Sequence, residues 1–208
     1  MSLRLATVSR RAFILITLAA VAVFGIGCGG GDNSSSFSSS FTPSGTPQAA
    51  NVIKLVPKGA SGNLLVVSAI IYGPTTSTDL YSFSFDVVIS DPTVLAFSPN
   101  SAAAGSALTV SGGQSLSAIA APAGSDPTHI VVGVSKLGGG AGNQVTGTSA
   151  AVVDLAFGFL KPGSSALSIA ASPSPAVTDS NGAVIGSITF DAATGTATGV
   201  STGGGGGY

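Results

Sequence analysis

Hydrophobic and polar residues alternate in short runs along the chain beyond residue 50, and Gly, Pro, Asn, Asp and Ser separate the runs. In the run 82–89, SFSFDVVI, every second residue is Phe, Val or Ile, and Ser82, Ser84 and Asp86 stand between them. The run 153–159, VDLAFGF, repeats the pattern. A period of two places the hydrophobic residues on one face of a β-strand, so the pattern predicts half-buried strands.

Several runs have the composition of strands: NVIKLVP, NLLVVSAIIY, LYSFSFDVVIS, HIVVGVSKL, SAAVVDLAFGF, SALSIAA and GAVIGSITF. The Ala-rich stretches 101–107 and 118–123 are weak helix candidates, because Gly, Ser or Pro interrupts them. No other segment combines helical periodicity with good helix formers. The pattern therefore predicts an all-β fold over residues 51–200, with about nine strands in two packed antiparallel sheets of a β-sandwich.

The first 27 residues have the parts of an export signal peptide. Basic residues come first, and the stretch 12–27 then carries no charge over 16 residues, fewer than the roughly 20 that span a bilayer as a helix. A cleaved signal is therefore predicted. The segment SRRAFI resembles a twin-arginine signal through Arg10, Arg11 and Phe13. An ordinary signal with two adjacent arginines is the alternative.

Cys28 is the one cysteine of the chain, and it ends the apolar stretch. The segment FGIGC at 24–28 resembles a bacterial lipobox, in which a thiol that follows a small residue receives lipid. Gly25 stands where leucine is usual, so processing at this cysteine stays open. The resemblance implies a lipid-anchored protein of the bacterial cell envelope. Gly29, where an Asp would favour the inner membrane, implies the outer membrane or the cell surface.

Residues 28–50 are rich in Gly, Ser, Thr and Pro, and Phe37 and Phe41 interrupt them. Such a segment buries too little apolar surface to offset the entropy of ordering, so we predict a disordered tether. As a coil of about 20 residues it would span roughly 25 Å. The phenylalanines are interpreted as incidental. The Gly-rich tail 201–208 is predicted to be a flexible end.

Three motifs in the body of the chain resemble cohesin modules. SFSFDVVISDPTVLAFS has a strand that leads into Asp91-Pro92 and then Val94-Leu95; HIVVGVSKLGGG precedes AAVVDLAFGFL; and VTDSNGAVI resembles the hairpin near the end of such domains. Together they cover roughly residues 51 to 192. The resemblance implies a jelly-roll sandwich related to carbohydrate-binding modules, and a dockerin-like protein partner bound through a sheet face.

Charge and reactive residues argue against several classes of function. Beyond Cys28 the chain has 4 Lys, no Arg, no Glu and 8 Asp, a formal charge of −4, which opposes nucleic-acid binding. His129 is the sole histidine, with no second histidine or further cysteine to complete a metal set and no GxSxG motif in the chain. Most Asp residues stand in turn or strand contexts. No enzyme, no catalytic residue and no cofactor is predicted.

The segment DSNG at 179–182 has two interpretations. Asp and Asn oxygens two residues apart suit calcium, but the EF-type loop needs further acids and a bidentate Glu, which this chain lacks. A hairpin turn over Asn181-Gly182 explains the same residues. The sequence is compatible with a calcium site and with a hairpin turn at this segment.

The candidate binding face consists of Tyr72, Tyr81, Ser82, Ser84 and Asp86. Recognition of a protein partner through a sheet face is the first hypothesis. Binding of a polysaccharide through Tyr72 or Tyr81 is the second, although the chain has no Trp, the residue that commonly stacks on sugar rings. A structural envelope lipoprotein without a discrete ligand is the third.

Overall fold

The computed structural model describes residues 37–45 and 48–202. They form strands and turns, and none of them lies in a helix. The strands in chain order are β1 Phe37–Thr42, β2 Val52–Ser61, β3 Leu64–Tyr72, β4 Ser82–Ile89, β5 Leu95–Phe97, β6 Ala103–Ala104, β7 Ser115–Ala123, β8 Asp126–Leu137, β9 Ser149–Phe159, β10 Gly163–Ile169, β11 Ala176–Thr178, β12 Thr189–Phe190 and β13 Gly195–Ser201.

The strands form two sheets. The seven-stranded sheet has the order β1-β13-β10-β4-β8-β7, with β11 also paired to β4; the six-stranded sheet has the order β12-β2-β3-β9-β5, with β6 also paired to β9. Every pairing is antiparallel except the short β12–β2 pair. The predicted all-β sandwich of jelly-roll type is confirmed, and nine of these strands have six residues or more.

The core lies between the sheets and is built by the alternation seen in the sequence. On β4, Phe83, Phe85, Val87 and Ile89 are all buried, and Val153, Leu155 and Phe157 of β9 in the other sheet belong to the same core cluster. Burial of each such side chain stabilises the fold by about 1.5–3 kcal/mol. The residues between them on β4 consequently project away from the core.

The tether prediction is wrong for residues 37–42, which form β1 at one edge of the seven-stranded sheet. The segment FSSSF alternates, so Phe37 and Phe41 point inward, and Phe41 is only 5% exposed. Six registered pairs with β13 hold one side of the β1 backbone. Phe41 is therefore a core residue, not an incidental one. Cys28, Arg10, Arg11, Phe13, the signal peptide and the tail from residue 203 lie outside the described residues.

Two further segments differ from the sequence-based prediction. Residues 118–123, a weak helix candidate, belong to β7, because pairing with β8 outweighs the helical propensity of alanine. The predicted strand over 182–190 is reduced to Thr189–Phe190, since Gly182 has a φ of 81° within a turn. Within 37–45 and 48–202 no helix is long and apolar enough to cross a membrane.

Candidate binding face

Three strands of the seven-stranded sheet place nine residues, eight of them with a side chain, in a regular array on the side away from the core. Their registers pair β4 with β8 and β8 with β7. The three rows across β4, β8 and β7 are Ser82, Ser135 and Ser117; Ser84, Gly133 and Ile119; and Asp86, Val131 and Ala121. We call these nine residues the outer face.

Small side chains make the outer face flat. Six of its nine residues are Ser, Gly or Ala. Two apolar side chains rise from it, Ile119 with 64% and Val131 with 41% of its surface exposed. Ile119 lies across Gly133, where an added Cβ would meet its Cγ1 at 3.3 Å. A flat surface with exposed apolar groups and little charge has the character of the centre of a protein–protein interface.

Asp86 is the one charged residue of the outer face. It is 6% exposed, and the Nδ1 atom of His129 lies 4.0 Å from Asp86 Oδ2. Among residues 37–45 and 48–202, none donates a hydrogen bond to the Asp86 carboxylate. A carboxylate has about four acceptor positions. Asp86 is therefore a buried carboxylate without a described hydrogen-bond donor, and only a small part of it reaches the outer face.

The structure brings together three of the five predicted face residues, namely Ser82, Ser84 and Asp86. Tyr81 directly precedes β4 at the border of the outer face; its N–H donates to the Thr178 carbonyl at 2.9 Å. Tyr72 ends β3 in the other sheet and is only 7% exposed, and burial raises the pKa of its hydroxyl. Tyr72 does not contribute to the outer face.

Sequence reasoning missed the β7 and β8 residues of the outer face. Val131 lies between Ile130 and Val132, which are buried, so strict alternation in HIVVGVSKL would have placed it outside. Ile119 lacked such a signal, because both of its neighbours in the sequence are alanines. The segment around it shows no alternation of large apolar and polar residues. The face could thus be found in part from period-two patterns alone.

A second polar cluster joins three loops at the end of the sandwich where β4 begins. The Asp79 carboxylate accepts hydrogen bonds from the Ser180 hydroxyl at 2.7 Å and from the Gly142 N–H. These donors hold the pKa of Asp79 below its ordinary value, with a smaller contribution from the charge of Lys136. Lys136 Nζ donates to the Ala141 carbonyl at 2.8 Å and to Asn143 Oδ1 at 3.0 Å. The Asp79 carboxylate and the Lys136 ammonium group thus both hold loops in place through hydrogen bonds.

The two interpretations of DSNG can be compared with the geometry at Asp179. Its Oδ1 accepts the N–H groups of Asn181 and Ala183, both at 2.9 Å, and Gly182 adopts a positive φ. These are the contacts of an Asp-stabilised turn. In the part of the chain that the structure describes, no group of three or more His, Cys, Asp or Glu residues is placed to hold a metal ion.

His129 stands on β8 beside the outer face, near Asp86. No described serine hydroxyl is hydrogen-bonded to its ring. Its Nδ1 lies 4.0 Å from Asp86 Oδ2, and Asp126 is a second acidic neighbour.

Among known proteins, the chain is similar to solved structures only. No family model and no curated protein matches the chain. A type II cohesin domain from the cellulosome of Acetivibrio cellulolyticus is 18% identical, with 71% of this chain and 95% of the cohesin covered and a TM-score of 0.45. The cohesin module of a family 33 glycoside hydrolase from Clostridium perfringens is 12% identical, with 81% and 97% covered and a TM-score of 0.41.

A third similar structure is the sixth cohesin from scaffoldin B of Acetivibrio cellulolyticus, solved in complex with a mutant Cel5 dockerin. It is 17% identical, with 68% of this chain and 96% of the cohesin covered and a TM-score of 0.45. All three are cohesin modules, the class that the sequence motifs resemble. The similarity concerns the fold, and no residue role is transferred from these proteins to this chain.

Proposed function

We propose that this chain is a non-catalytic binding module of the bacterial cell envelope, and that its outer face recognises a protein partner. The observation that carries the proposal is the flat array on β4, β8 and β7, from which Ile119 and Val131 project with 64% and 41% of their surfaces exposed. The cohesin resemblance of the sequence supplies the class of partner, a dockerin-like module. Lipidated Cys28 would hold the module at the membrane.

The dimensions of the outer face agree with this role. Three strands about 4.8 Å apart and five residues along each strand cover roughly 10 by 14 Å. A standard interface buries about 800 Å² on each partner, and a small central region contributes most of its binding energy. The outer face has the size of such a centre, and the surrounding strands and loops would form its rim.

The chemistry of the outer face favours a protein over a polysaccharide. Sugar rings stack on exposed aromatic side chains, and none of the nine residues is aromatic. Of the two tyrosines considered for sugar binding, Tyr72 is buried, which leaves Tyr81 at the border. A flat surface with exposed apolar side chains and small polar groups supports a protein partner.

The test is the substitution Val131→Asp, compared with Val110→Asp as a control. Val110 is 46% exposed, lies between β6 and β7 and is not one of the nine residues of the outer face, so it matches Val131 at 41%. The full-length variants are immobilised and exposed to secreted and envelope proteins of the producing cells. We expect the wild type and the control to retain the same protein, and Val131→Asp to lose at least tenfold in affinity, about 1.4 kcal/mol.

Two results would contradict the proposal. One is a retained protein that binds Val131→Asp as tightly as the wild type, which would place recognition elsewhere on the chain. The other is retention of polysaccharide without any protein, sensitive to Tyr81→Ala, which would favour the carbohydrate hypothesis. Circular dichroism of each variant serves to check that the sheets are intact.

A further inference from the structure

The first strand begins at one end of the sandwich. Phe37, the first residue of β1, pairs with Ser201 at the end of β13. Two residues further on, Ser39 Oγ lies 2.9 Å from the carbonyl oxygens of Gly62 and Leu64 at the β2–β3 hairpin. The start of β1, the end of β13 and this hairpin therefore lie together.

The turn between β9 and β10 lies at the same end. The Phe159 N–H donates to the Asn63 carbonyl at 2.8 Å, and β10 begins with Gly163 paired to Gly199 of β13. Gly199 also lies against the Phe159 ring, where an added Cβ would be 2.6 Å from Cδ1. Leu160, which follows Phe159, is thus held beside the hairpin and the end of β13. We call residues 37–39, 62–64, 160–161 and 199–201 together the entry end.

Three large apolar side chains are exposed at the entry end. Leu160 has 63%, Val200 54% and Leu64 39% of its surface exposed. Leu64 begins β3 of the six-stranded sheet, Val200 lies on β13 of the seven-stranded sheet, and Leu160 lies in the turn that connects the two sheets. They follow one another across the end of the sandwich. Apolar side chains gathered in this way are typical of a contact with a protein or a membrane.

The charged side chains nearby leave this end free to approach a membrane. Lys161 follows Leu160, and its Nζ donates to Thr93 Oγ1 at 3.0 Å. The same hydroxyl donates to Asp91 Oδ1 at 2.7 Å, so this carboxylate lies close to a cation. Asp126, at the start of β8, is four strand positions away from β1, about 19 Å. The entry end therefore lacks the excess of negative charge that the chain has as a whole.

We infer that the entry end rests on a phospholipid surface, with its three exposed apolar side chains inserted among the headgroups. The inference rests on the proposed anchoring at Cys28. Residues 29–36 span roughly 15 Å as a coil, and they lead to Phe37 at the entry end. Apolar side chains tethered this close to lipid have a high effective concentration there, and their binding grows with the apolar area buried. The short connection thus selects phospholipid over a second copy or a soluble partner.

This contact would orient the outer face. The Asp91 N–H, two residues after β4, donates to Ser165 Oγ at 3.0 Å near the start of β10, so β4 ends toward the entry end. The eight residues of β4 extend roughly 25 Å from there to the opposite end. The rows of the outer face would then stand at increasing heights above the lipid, and a partner would approach from the side.

The test measures lipid contact through a fluorescent label on one added cysteine. The chain is purified as the producing cells lipidate it and placed in vesicles of phosphatidylethanolamine and phosphatidylglycerol with a nitroxide quencher on the acyl chains. Because lipid occupies the Cys28 thiol, the label reacts with the added cysteine. We expect the label at Leu160→Cys to lose most of its fluorescence and the label at Val184→Cys to keep it.

Val184 is a matched control for Leu160. It is 68% exposed, against 63% for Leu160, and it lies at the opposite end of the sandwich. It bridges to Thr178, which pairs with Ser82 at the start of β4. Equal quenching of the two labels would overturn the inference. If a second copy or a soluble partner covered the entry end, neither label would be quenched, which would also overturn it.

A second pair of variants separates contact from proximity. The label is placed at Val200→Cys, and its quenching is compared with and without Leu160→Asp. A carboxylate at this position opposes insertion, so the quenching should fall. Leu137→Asp is the control, since Leu137 is 48% exposed and ends β8 at the opposite end. Unchanged quenching in Leu160→Asp would mean that the entry end is near lipid without contacting it.

The outcomes for anchoring, recognition and lipid contact are separate. Mass spectrometry of the purified chain reports whether Cys28 carries lipid, and a chain without it would contradict both the anchoring and this inference. Partner binding is reported by Val131→Asp, which leaves the entry end intact. A lipidated chain that binds its partner and shows no quenching at Leu160→Cys would refute the lipid contact alone.

Discussion

At the scale of single residues, Asp79 shows how one carboxylate holds distant parts of the chain together. It accepts hydrogen bonds from Ser180 and Gly142, which belong to two other loops. Hydrogen bonds to the ionised form lower the pKa of a carboxyl group. The pKa of Asp79 is accordingly lowered from 3.8 in the folded chain, chiefly by the Ser180 hydroxyl.

This lowering predicts how stability depends on pH. The unfolded chain takes up the proton of Asp79 first as pH falls, so the contribution of Asp79 is complete above 3.8 and is lost as pH falls through its folded pKa. We expect Asp79→Asn to be less stable than the wild type at pH 7 and to lose less stability on acidification. Urea unfolding at pH 7 and below pH 3.8 measures both effects.

Asp91 and Asp126, whose pKa values are also lowered, remain in both proteins, so the difference between the two curves isolates Asp79. Parallel curves for wild type and Asp79→Asn would mean that this carboxylate does not couple folding to pH.

Residues that follow a strict alternation were predictable as members of the outer face. Ser82, Ser84 and Asp86 stand between large apolar residues. Because successive side chains of a strand point to opposite faces of the sheet, these three lie on the face opposite the core. Tyr72 was not predictable in this way, because the whole end of β3 is apolar and both of its faces are covered. Its burial depends on loops that come from elsewhere in the sequence.

At the scale of elements, β1 is the clearest example of a strand that depends on its partner. Phe41 packs over Gly195 of β13, where an added Cβ would lie 2.1 Å from Phe41 Cζ. The absence of a side chain at Gly195 therefore makes the space that the ring occupies. Ser39 Oγ, on the same strand, lies 2.9 Å from the carbonyl oxygens of both Gly62 and Leu64, and its one hydroxyl hydrogen can be donated to either.

We predict that Phe41→Ala lowers the free energy of unfolding by about 3 kcal/mol, the lower end of the range for Phe in a core. The reason is that the ring is buried between the sheets and nothing else fills the space over Gly195. Phe37→Ala is the matched control, since Phe37 is only partly buried against the same core and should cost less. Equilibrium urea unfolding monitors both variants.

If the two substitutions cost the same small amount, β1 would not be anchored through Phe41. The prediction also concerns protein fragments, because one that begins at residue 50 lacks β1 and leaves β13 as an exposed edge. Binding experiments accordingly need the chain from before residue 37.

Strands with large apolar residues were predictable, and strands built from small residues were not. β4 and β9 alternate Phe, Val, Ile or Leu with small or polar residues, which is a strong local signal. β1, β7 and β13 consist mainly of Ser, Ala, Gly and Thr. Their conformation comes from pairing with neighbours that are distant in the sequence, which a local pattern does not report.

At the scale of the whole molecule, β1 shortens the connection to Cys28. Only residues 29–36 separate Cys28 from the first strand, and as a coil they would span roughly 15 Å. The predicted tether of residues 28–50 would have given a longer reach. Under the proposed lipidation, the sandwich would stay close to the membrane surface.

Anchoring through this cysteine is tested by Cys28→Ala in the producing cells. We expect the wild type in the membrane fraction and the variant in the soluble fraction, because lipid chains contribute about 0.8 kcal/mol for each buried CH₂ group. Replacing Ser34 by Ala is a control that keeps the thiol. If Cys28→Ala stayed in the membrane fraction, the apolar stretch 12–27 itself would be the anchor.

The six registered pairs between β1 and β13 also have a mechanical consequence. Antiparallel hydrogen bonds run perpendicular to their strands. When tension enters at Phe37 and runs along β1, all six pairs are loaded together in shear, and they do not open one after another. If Cys28 is anchored and a bound partner pulls on the outer face, the β1–β13 pairing would resist the force. The lifetime of the pairing under force would depend on its unfolding rate.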